Sequence, residues 1–111
     1  MDERARRIGH NEALFREVNE RIEKVSEELQ VAGEGLAILC ECGYESCTER
    51  VEVSTADYER IRSDPTLFFV RPGHEIPDVE DVVERGDEFD VVRKQSGAPA
   101  ELARELDTRH D

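Results

Sequence analysis

The chain of 111 residues has the length of a single domain with a modest core. Because only 37% of the residues are hydrophobic and 5% are aromatic, the core must be built mainly from Val, Leu and Ile, and a bound metal ion would help to stabilise it. The net charge of −13 favours solubility and argues against nucleic acid as a direct partner.

The sequence predicts a cytoplasmic protein that does not contact a membrane. No apolar run approaches the roughly 20 residues that cross a bilayer, and the first residues, Met1 to Arg4, do not resemble a secretory signal peptide. In a reducing compartment the three cysteines are not expected to form a disulfide framework, and their odd number would leave one thiol unpaired.

The first predicted element is one long amphipathic helix that runs from about Ile8 to about Gln30. Its apolar residues recur at spacings of three and four, Asn11 fills the remaining position of this seam, and charged residues occupy the other face. Two interpretations stay open: the helix covers its own sheet, or its seam supports self-association or binds a protein partner. The seam consists of Ile8 followed by Phe15, Val18, Ile22, Val25 and Leu29.

Short strands and a second helix are predicted next. Leu36 to Leu39 is typical of a buried strand, and residues 50–54 alternate like a strand with one wet face, so the cysteine segment connects two strands. A capping box that begins at Ser54 starts the second helix, and Asp64-Pro65 ends it.

The last predicted elements are three strands and a tail. Leu67 to Arg71 forms a third strand that leads into a Pro72-Gly73 turn, and residues 79–84 and 88–93 form a closing hairpin. After Gln95 the composition becomes polar. The sequence therefore predicts one domain over residues 1–94 and a mobile tail over residues 95–111.

The cysteine segment carries the clearest chemical signal in the chain. Cys40 and Cys42 are one residue apart and Cys47 follows after four more, so a kink at Gly43 can aim all three sulfurs at one ion. Thiolates suit zinc, which is borderline soft and accepts tetrahedral sulfur ligands. Three thiolates leave one corner of the tetrahedron open.

His74 is the best candidate for the fourth ligand. It follows the Pro72-Gly73 turn, which can fix its side chain, and the neighbouring Glu75 can accept a hydrogen bond from it. His10, Glu75 itself and water remain alternatives for the fourth position. If water takes that position, Glu75 or Glu41 could serve as a base and hydrolysis becomes conceivable.

The three cysteines are also compatible with functions other than zinc binding. A 2Fe–2S cluster with three Cys and one His is chemically feasible, although the spacing does not reproduce a usual cluster motif. Cys42 and Cys47 could instead form a redox-switch pair, because nearby Arg50 favours thiolates. A Cys nucleophile is the weakest alternative, since no catalytic base can be assigned beside it.

The cysteine segment resembles the zinc knuckle that follows the catalytic domain of SET-type protein lysine methyltransferases, where a distant residue supplies the fourth ligand. This likeness covers about ten residues, and because the catalytic motifs of those enzymes are absent it implies coordination and not methyl transfer.

Four segments together resemble a group of small actinobacterial proteins, over roughly residues 8 to 94. That resemblance implies a cytoplasmic single domain in which the cysteines and His74 share one ion, and it implies no activity. The segments are residues 11–22, residues 40–51, residues 58–62 and Pro72-Gly73-His74-Glu75.

These patterns predict an α+β fold, with a long N-terminal amphipathic helix packed on a small, mostly antiparallel sheet, a short second helix and a metal site at one end. The predicted function is that of a non-catalytic zinc-binding interaction or regulatory protein. A thiol-based redox or metal sensor is the first alternative, and a zinc-dependent hydrolase is the second.

Overall fold

The structure, a computed structural model, describes residues 2–28 and 35–109. It confirms the predicted α+β class, with a long first helix, antiparallel strands and a short second helix. The predicted helix end at Gln30 and the seam residue Leu29 lie outside the described residues. In chain order the elements are α1 (Glu3–Glu28), β1 (Leu36–Leu39), β2 (Arg50–Val53), α2 (Thr55–Arg62), β3 (Leu67–Val70), β4 (Glu80–Glu84), β5 (Asp90–Lys94) and α3 (Ala98–Glu105).

The strands form two small antiparallel sheets. β1 and β2 make a hairpin in which Leu36 lies opposite Val53, and the cysteine segment connects the two strands as predicted. The second sheet has the strand order β3-β5-β4, so the predicted closing hairpin of β4 and β5 is confirmed. Within the described ranges, no helix is long and apolar enough to cross a bilayer.

β3 separates two apolar clusters because successive side chains of a strand point to opposite faces. Leu67 and Phe69 contribute to the main core, where the Phe69 ring stacks on Tyr58 with 5.8 Å between ring centroids. Phe68 and Val70 face the other way, into a cluster that contains Cys40 and Cys42. β3 therefore links the core directly to the cysteine segment.

α1 does not bury the face that its apolar pattern predicts. Its buried side chains recur at spacings of four, four, three and four, and most of them are polar or charged, whereas Val18 and Val25 are exposed. Phe15 is half-buried, and Ile22 is half-buried against the main core. The periodicity is helical as predicted, but hydrogen bonds and ion pairs hold the helix to the rest of the molecule. The buried positions are Ile8, Glu12, Arg16, Asn19 and Glu23.

Regular structure continues beyond residue 94, in the segment for which the sequence predicted a mobile tail. Residues 98–105 form α3, which packs on α1 and β5 and buries Leu102 and Ala103. Buried polar contacts continue after the helix, since Arg62 Nη2 donates to Asp107 Oδ1 at 2.7 Å. The packed structure therefore includes much of the predicted tail, because charged residues there find partners inside the fold.

Candidate metal centre

The three cysteines lie in the connection between β1 and β2. Cys40 directly follows β1 and is buried, Cys42 is buried two residues later, and Cys47 is half-buried near the other end of the connection. The backbone N–H of Cys47 donates to the carbonyl of Tyr44 at 3.0 Å, which folds the connection back toward the first two sulfurs.

His74 reaches the same point from the loop between β3 and β4. Its backbone N–H donates to the carbonyl of Arg71 at 2.9 Å, and Gly73 between them has a φ of 89°. With Pro72 at the preceding position this is the arrangement of a type II turn, in which glycine accepts the positive φ without strain. The turn directs the imidazole toward the cysteines.

The potential ligand atoms of Cys40, Cys42, Cys47 and His74 all lie within 4.8 Å of one another. His74 Nδ1 is 3.5 Å from Cys40 Sγ and 3.7 Å from Cys47 Sγ. A tetrahedral zinc ion with Zn–S bonds of about 2.3 Å and Zn–N bonds of about 2.0 Å places sulfur and nitrogen ligands about 3.5 Å apart. The spacing of the four side chains therefore fits one small tetrahedral cation.

The thiols influence one another strongly. A hydrogen bond from Cys42 lowers the pKa of Cys40, and the backbone N–H of Arg71, 3.2 Å from Cys40 Sγ, acts in the same direction. That same hydrogen bond, together with burial, raises the pKa of Cys42, and burial raises the pKa of Cys47. Cys40 therefore ionises more readily than Cys42 and Cys47, and a cation at the centre of the cluster would favour the thiolate form of all three.

Glu41, between the first two cysteines, joins the two sheets. Its backbone N–H donates to the Phe69 carbonyl at 2.7 Å, and its Oε1 accepts from the Phe69 N–H at 3.0 Å. Its Oε2 accepts from Asn19 Nδ2 at 2.9 Å, and burial raises the pKa of this fully buried carboxyl. Both oxygens are therefore engaged within the protein, which argues against the role of water-activating base.

Two asparagines of α1 hold the cysteine segment from the other side. Asn19 pairs with the backbone of Leu39, accepting from its N–H at 2.8 Å and donating to its carbonyl at 2.9 Å. Asn11 Nδ2 donates to the carbonyl of Gly43 at 3.2 Å. A Cβ on Gly43 would lie 2.4 Å from Ile8 Cγ2. The close approach of the backbone to α1 therefore explains the glycine at this position, and the predicted kink does not.

A buried ion cluster holds the loop that carries His74. Glu80 Oε2 accepts from the backbone N–H of Ile76 at 3.0 Å, and Glu80 Oε1 lies 3.2 Å from Lys94 Nζ. Lys94 Nζ also donates to Glu12 Oε1 of α1 at 2.6 Å. Burial and the neighbouring Glu80 raise the pKa of Glu12 well above its usual range. We call Glu12, Glu80 and Lys94 the lysine triad.

Sequence reasoning missed the lysine triad and the contacts of Asn19. The available signal was the position of two polar residues, Glu12 and Asn19, which lie at helical spacing among the apolar positions of α1. A purely apolar seam does not explain them. Their partners are far away in sequence, however: Lys94 is 82 residues from Glu12. The pattern could show that these positions are unusual but could not supply the partner.

The other predicted ligands are not part of the group. His10 is exposed on α1, and neither His10 nor Glu75 belongs to the cluster of four ligand atoms found among the described residues. Within that same part of the chain, Glu75 Oε1 is buried without a hydrogen-bond partner, so the predicted support of His74 by Glu75 is not observed.

Comparisons with protein-family models, curated proteins and solved structures find no match to this chain. The interpretation of the site therefore depends on the geometry and chemistry of its own residues.

Proposed function

We propose that the protein is a non-catalytic zinc-binding interaction module in which Cys40, Cys42, Cys47 and His74 hold one zinc ion. The observation that carries this proposal is the convergence of three sulfurs and one imidazole nitrogen, all within 4.8 Å of one another, from two separate loops. Their hydrogen-bonded surroundings give the donor atoms defined positions, as expected for a structural site.

The donor set favours zinc over other metals. Sulfur and nitrogen donors disfavour hard cations such as calcium and magnesium, which prefer oxygen. A 2Fe–2S cluster would need its four ligands as two pairs on opposite sides of the cluster, one pair for each iron. Four donor atoms that are all mutual neighbours fit a single ion better.

Catalysis is not favoured by this arrangement. Three sulfurs and His74 Nδ1 complete a tetrahedron, which leaves no position for a reactive water, whereas catalytic zinc sites keep one open. Glu41, one of the two candidate bases, has both carboxylate oxygens in internal hydrogen bonds. The hydrolase alternative therefore lacks both an open coordination position and a free Glu41.

An interaction role follows from what the ion would connect. It would join the β1–β2 connection to the loop between β3 and β4, and both are already bound to α1, through Asn11 and Asn19 on one side and the lysine triad on the other. Metal binding would thus fix α1 in place while its opposite face stays in solvent. The predicted contact residues Val18 and Val25 lie on that exposed face.

One observation favours a thiol sensor as a second candidate. Cys47 is the only one of the three cysteines that is not buried, so an oxidant would reach it first. Under this alternative, mild peroxide releases the metal and changes the oligomeric state. Metal content that stays constant through such oxidation would rule the sensor out.

Metal analysis of the protein purified without added metal tests the proposal. We expect one zinc per chain in the wild type, and substantially less in Cys40→Ser, Cys42→Ser, Cys47→Ser and His74→Ala. Ser46→Ala and His10→Ala are matched controls, because Ser46 lies in the cysteine segment, His10 lies on α1, and both side chains are exposed. Both variants should keep a full complement of zinc. A reduced wild-type protein that is folded and metal-free would overturn the proposal.

A further inference from the structure

The outward face of α1 carries an apolar stripe. Leu14, Val18 and Val25 are 56%, 37% and 51% exposed, and their spacing of four and seven residues places them on one side of the helix. From first to last the stripe is about 16 Å long at 1.5 Å per residue. It is the length of contact that a short partner helix makes in a groove or helix pair.

The charges around this stripe are unlike those of the whole molecule. Among the exposed charged side chains that the structure describes over residues 3–27 of α1, five are basic and two are acidic, although the chain as a whole carries −13. Two of these bases are already paired: Arg4 with Asp78, and Arg21 with the half-exposed Glu17 at 3.7 Å. The exposed bases are Arg4, Arg6, Arg7, Arg21 and Lys24, and the exposed acids are Glu3 and Glu27.

This charge distribution arises because α1 directs several of its acids inward. Glu12 contacts Lys94, and Glu20 lies 3.3 Å from Arg62 Nε and also contacts Arg109. Bases from β5, α2 and the end of the chain thus neutralise acids of α1, while the described bases of the helix other than the buried Arg16 are exposed. The result is an apolar stripe with a basic border on a strongly acidic protein.

We propose that this face binds an acidic amphipathic helix of another protein, with apolar side chains against Leu14, Val18 and Val25 and carboxylates near Arg21 and Lys24. Electrostatic complementarity supplies the specificity, because like charges across an interface disfavour binding. A second copy would bring the same basic border against itself, and an anionic lipid surface would repel the acidic remainder of the molecule. The proposal rests on the interaction role proposed above and adds the chemistry of the partner.

A displayed peptide library provides the test. The peptides are amphipathic helices of about 18 residues, or five turns, with Leu along one side and with Glu or Lys in equal proportion at the flanking positions. Selection uses the full-length protein loaded with zinc. We expect the bound peptides to be enriched in Glu, and we expect their affinity to fall as salt is added.

Variants of α1 show whether the selected peptides bind this face. Replacing Leu14, Val18 and Val25 by Ser, or Arg21 and Lys24 by Glu, should weaken binding of a selected peptide about tenfold or more. Val83→Ser and Arg104→Glu make the same kinds of change on exposed residues of β4 and α3, and they should leave the affinity unchanged. Zinc content measured on every variant separates a failure of the docking face from a failure of the metal site.

Four outcomes would overturn the proposal. These are enrichment of Lys over Glu or of neither, absence of any bound peptide, peptide affinity that is unaffected by the α1 variants, and self-association that depends on Leu14, Val18 and Val25. Co-sedimentation with phosphatidylserine vesicles but not with phosphatidylcholine vesicles would likewise point to a lipid surface in place of an acidic protein.

Discussion

The two sides of the candidate metal centre are held in place by different kinds of contact. On the cysteine side, three ligands lie within eight residues of the chain, and Asn19 and Asn11 form hydrogen bonds with the backbone of the neighbouring Leu39 and Gly43. On the histidine side, a single ligand follows a Pro72-Gly73 turn, and its loop is held by a buried ion cluster from three elements. The first side takes its three ligands from one short segment, whereas the second places a single ligand through contacts among α1, β4 and β5.

The difference indicates how the centre assembles. A local cysteine segment can hold a metal weakly before the fold is complete, because its ligands are close along the chain. We expect His74 to join only when β4, β5 and α1 are packed together and the lysine triad is formed. Under the proposed zinc site, a complete tetrahedron would then require the rest of the domain to be folded.

The largest expected effect comes from removing a buried cysteine. Structural zinc contributes on the order of 10 kcal/mol to the folding of small zinc domains, so Cys42→Ser should lose zinc and lower the free energy of unfolding by several kcal/mol. His74→Ala should keep three thiolates and bind zinc more weakly without losing it completely. Zinc competition with a chromophoric chelator measures both variants. Equal loss in the two variants would contradict the difference between the two sides.

The lysine triad gives the next largest effect. Lys94→Met leaves Glu12 and Glu80 buried without their cation, and breaking a buried ion pair by removing one partner typically costs about 3–5 kcal/mol. We also expect zinc affinity to fall by roughly 10–100-fold, as for the loss of groups that support a ligand. Urea unfolding and zinc competition measure the two effects.

Lys24→Met is the matched control for that variant. Lys24 is exposed on α1, and surface substitutions usually change stability by less than about 0.5 kcal/mol. If Lys94→Met destabilises the protein but binds zinc as tightly as the wild type, the triad supports the fold without positioning His74.

A smaller effect is expected at Glu41. Both carboxylate oxygens of Glu41 accept hydrogen bonds, one from Asn19 Nδ2 and one from the Phe69 N–H. Glu41→Gln replaces one of these oxygens by an NH₂ group, which cannot accept. One buried hydrogen bond is therefore lost, at a cost of about 1–3 kcal/mol. Zinc stoichiometry should remain one per chain. Glu45→Gln, in the exposed part of the same connection, is the control and should unfold like the wild type.

The smallest effect concerns pH. Burial, and then the neighbouring Glu59, raise the pKa of Glu23 to about 8. Because the folded-state pKa lies above that of the unfolded chain, this group's contribution to stability is full below about pH 4.5 and disappears as pH rises through about 8. Relative to Glu23→Gln, the wild type should therefore lose stability between pH 5 and pH 9.

The measured quantity is the difference in stability between the wild type and Glu23→Gln at the same zinc concentration. Both proteins share the pH dependence of metal binding, so it cancels in this difference. If the denaturation midpoints of the wild type and Glu23→Gln differ by the same amount at every pH from 5 to 9, Glu23 is ionised throughout this range in the folded protein.

The parts of the fold that local sequence determines were predicted well. The alternation of Val51 and Val53, the apolar run from Leu36 and the cap at Ser54 each identify an element from a few neighbouring residues, and the Ser54 side chain accepts from the Asp57 N–H as expected. The cysteine spacing and the Pro72-Gly73 turn identified the four residues that the structure brings together.

The failures share one physical cause. The inward face of α1 depends on charged groups that are buried because distant residues pair with them: Arg16 Nη2 lies 3.8 Å from Asp107 Oδ1 and also donates to the Ala103 carbonyl at 2.9 Å, 87 residues away. A rule that places apolar residues inside and charged residues outside cannot anticipate such pairs. Leu14, which forms the exposed stripe with Val18 and Val25, also lay outside the predicted seam.

X-ray absorption at the zinc edge of the purified protein tests the metal centre most directly. The account predicts a shell of three sulfurs at about 2.3 Å and one nitrogen at about 2.0 Å, with the nitrogen contribution replaced by oxygen in His74→Ala. A wild-type shell that consists mainly of nitrogen and oxygen, or one that His74→Ala leaves unchanged, would contradict it.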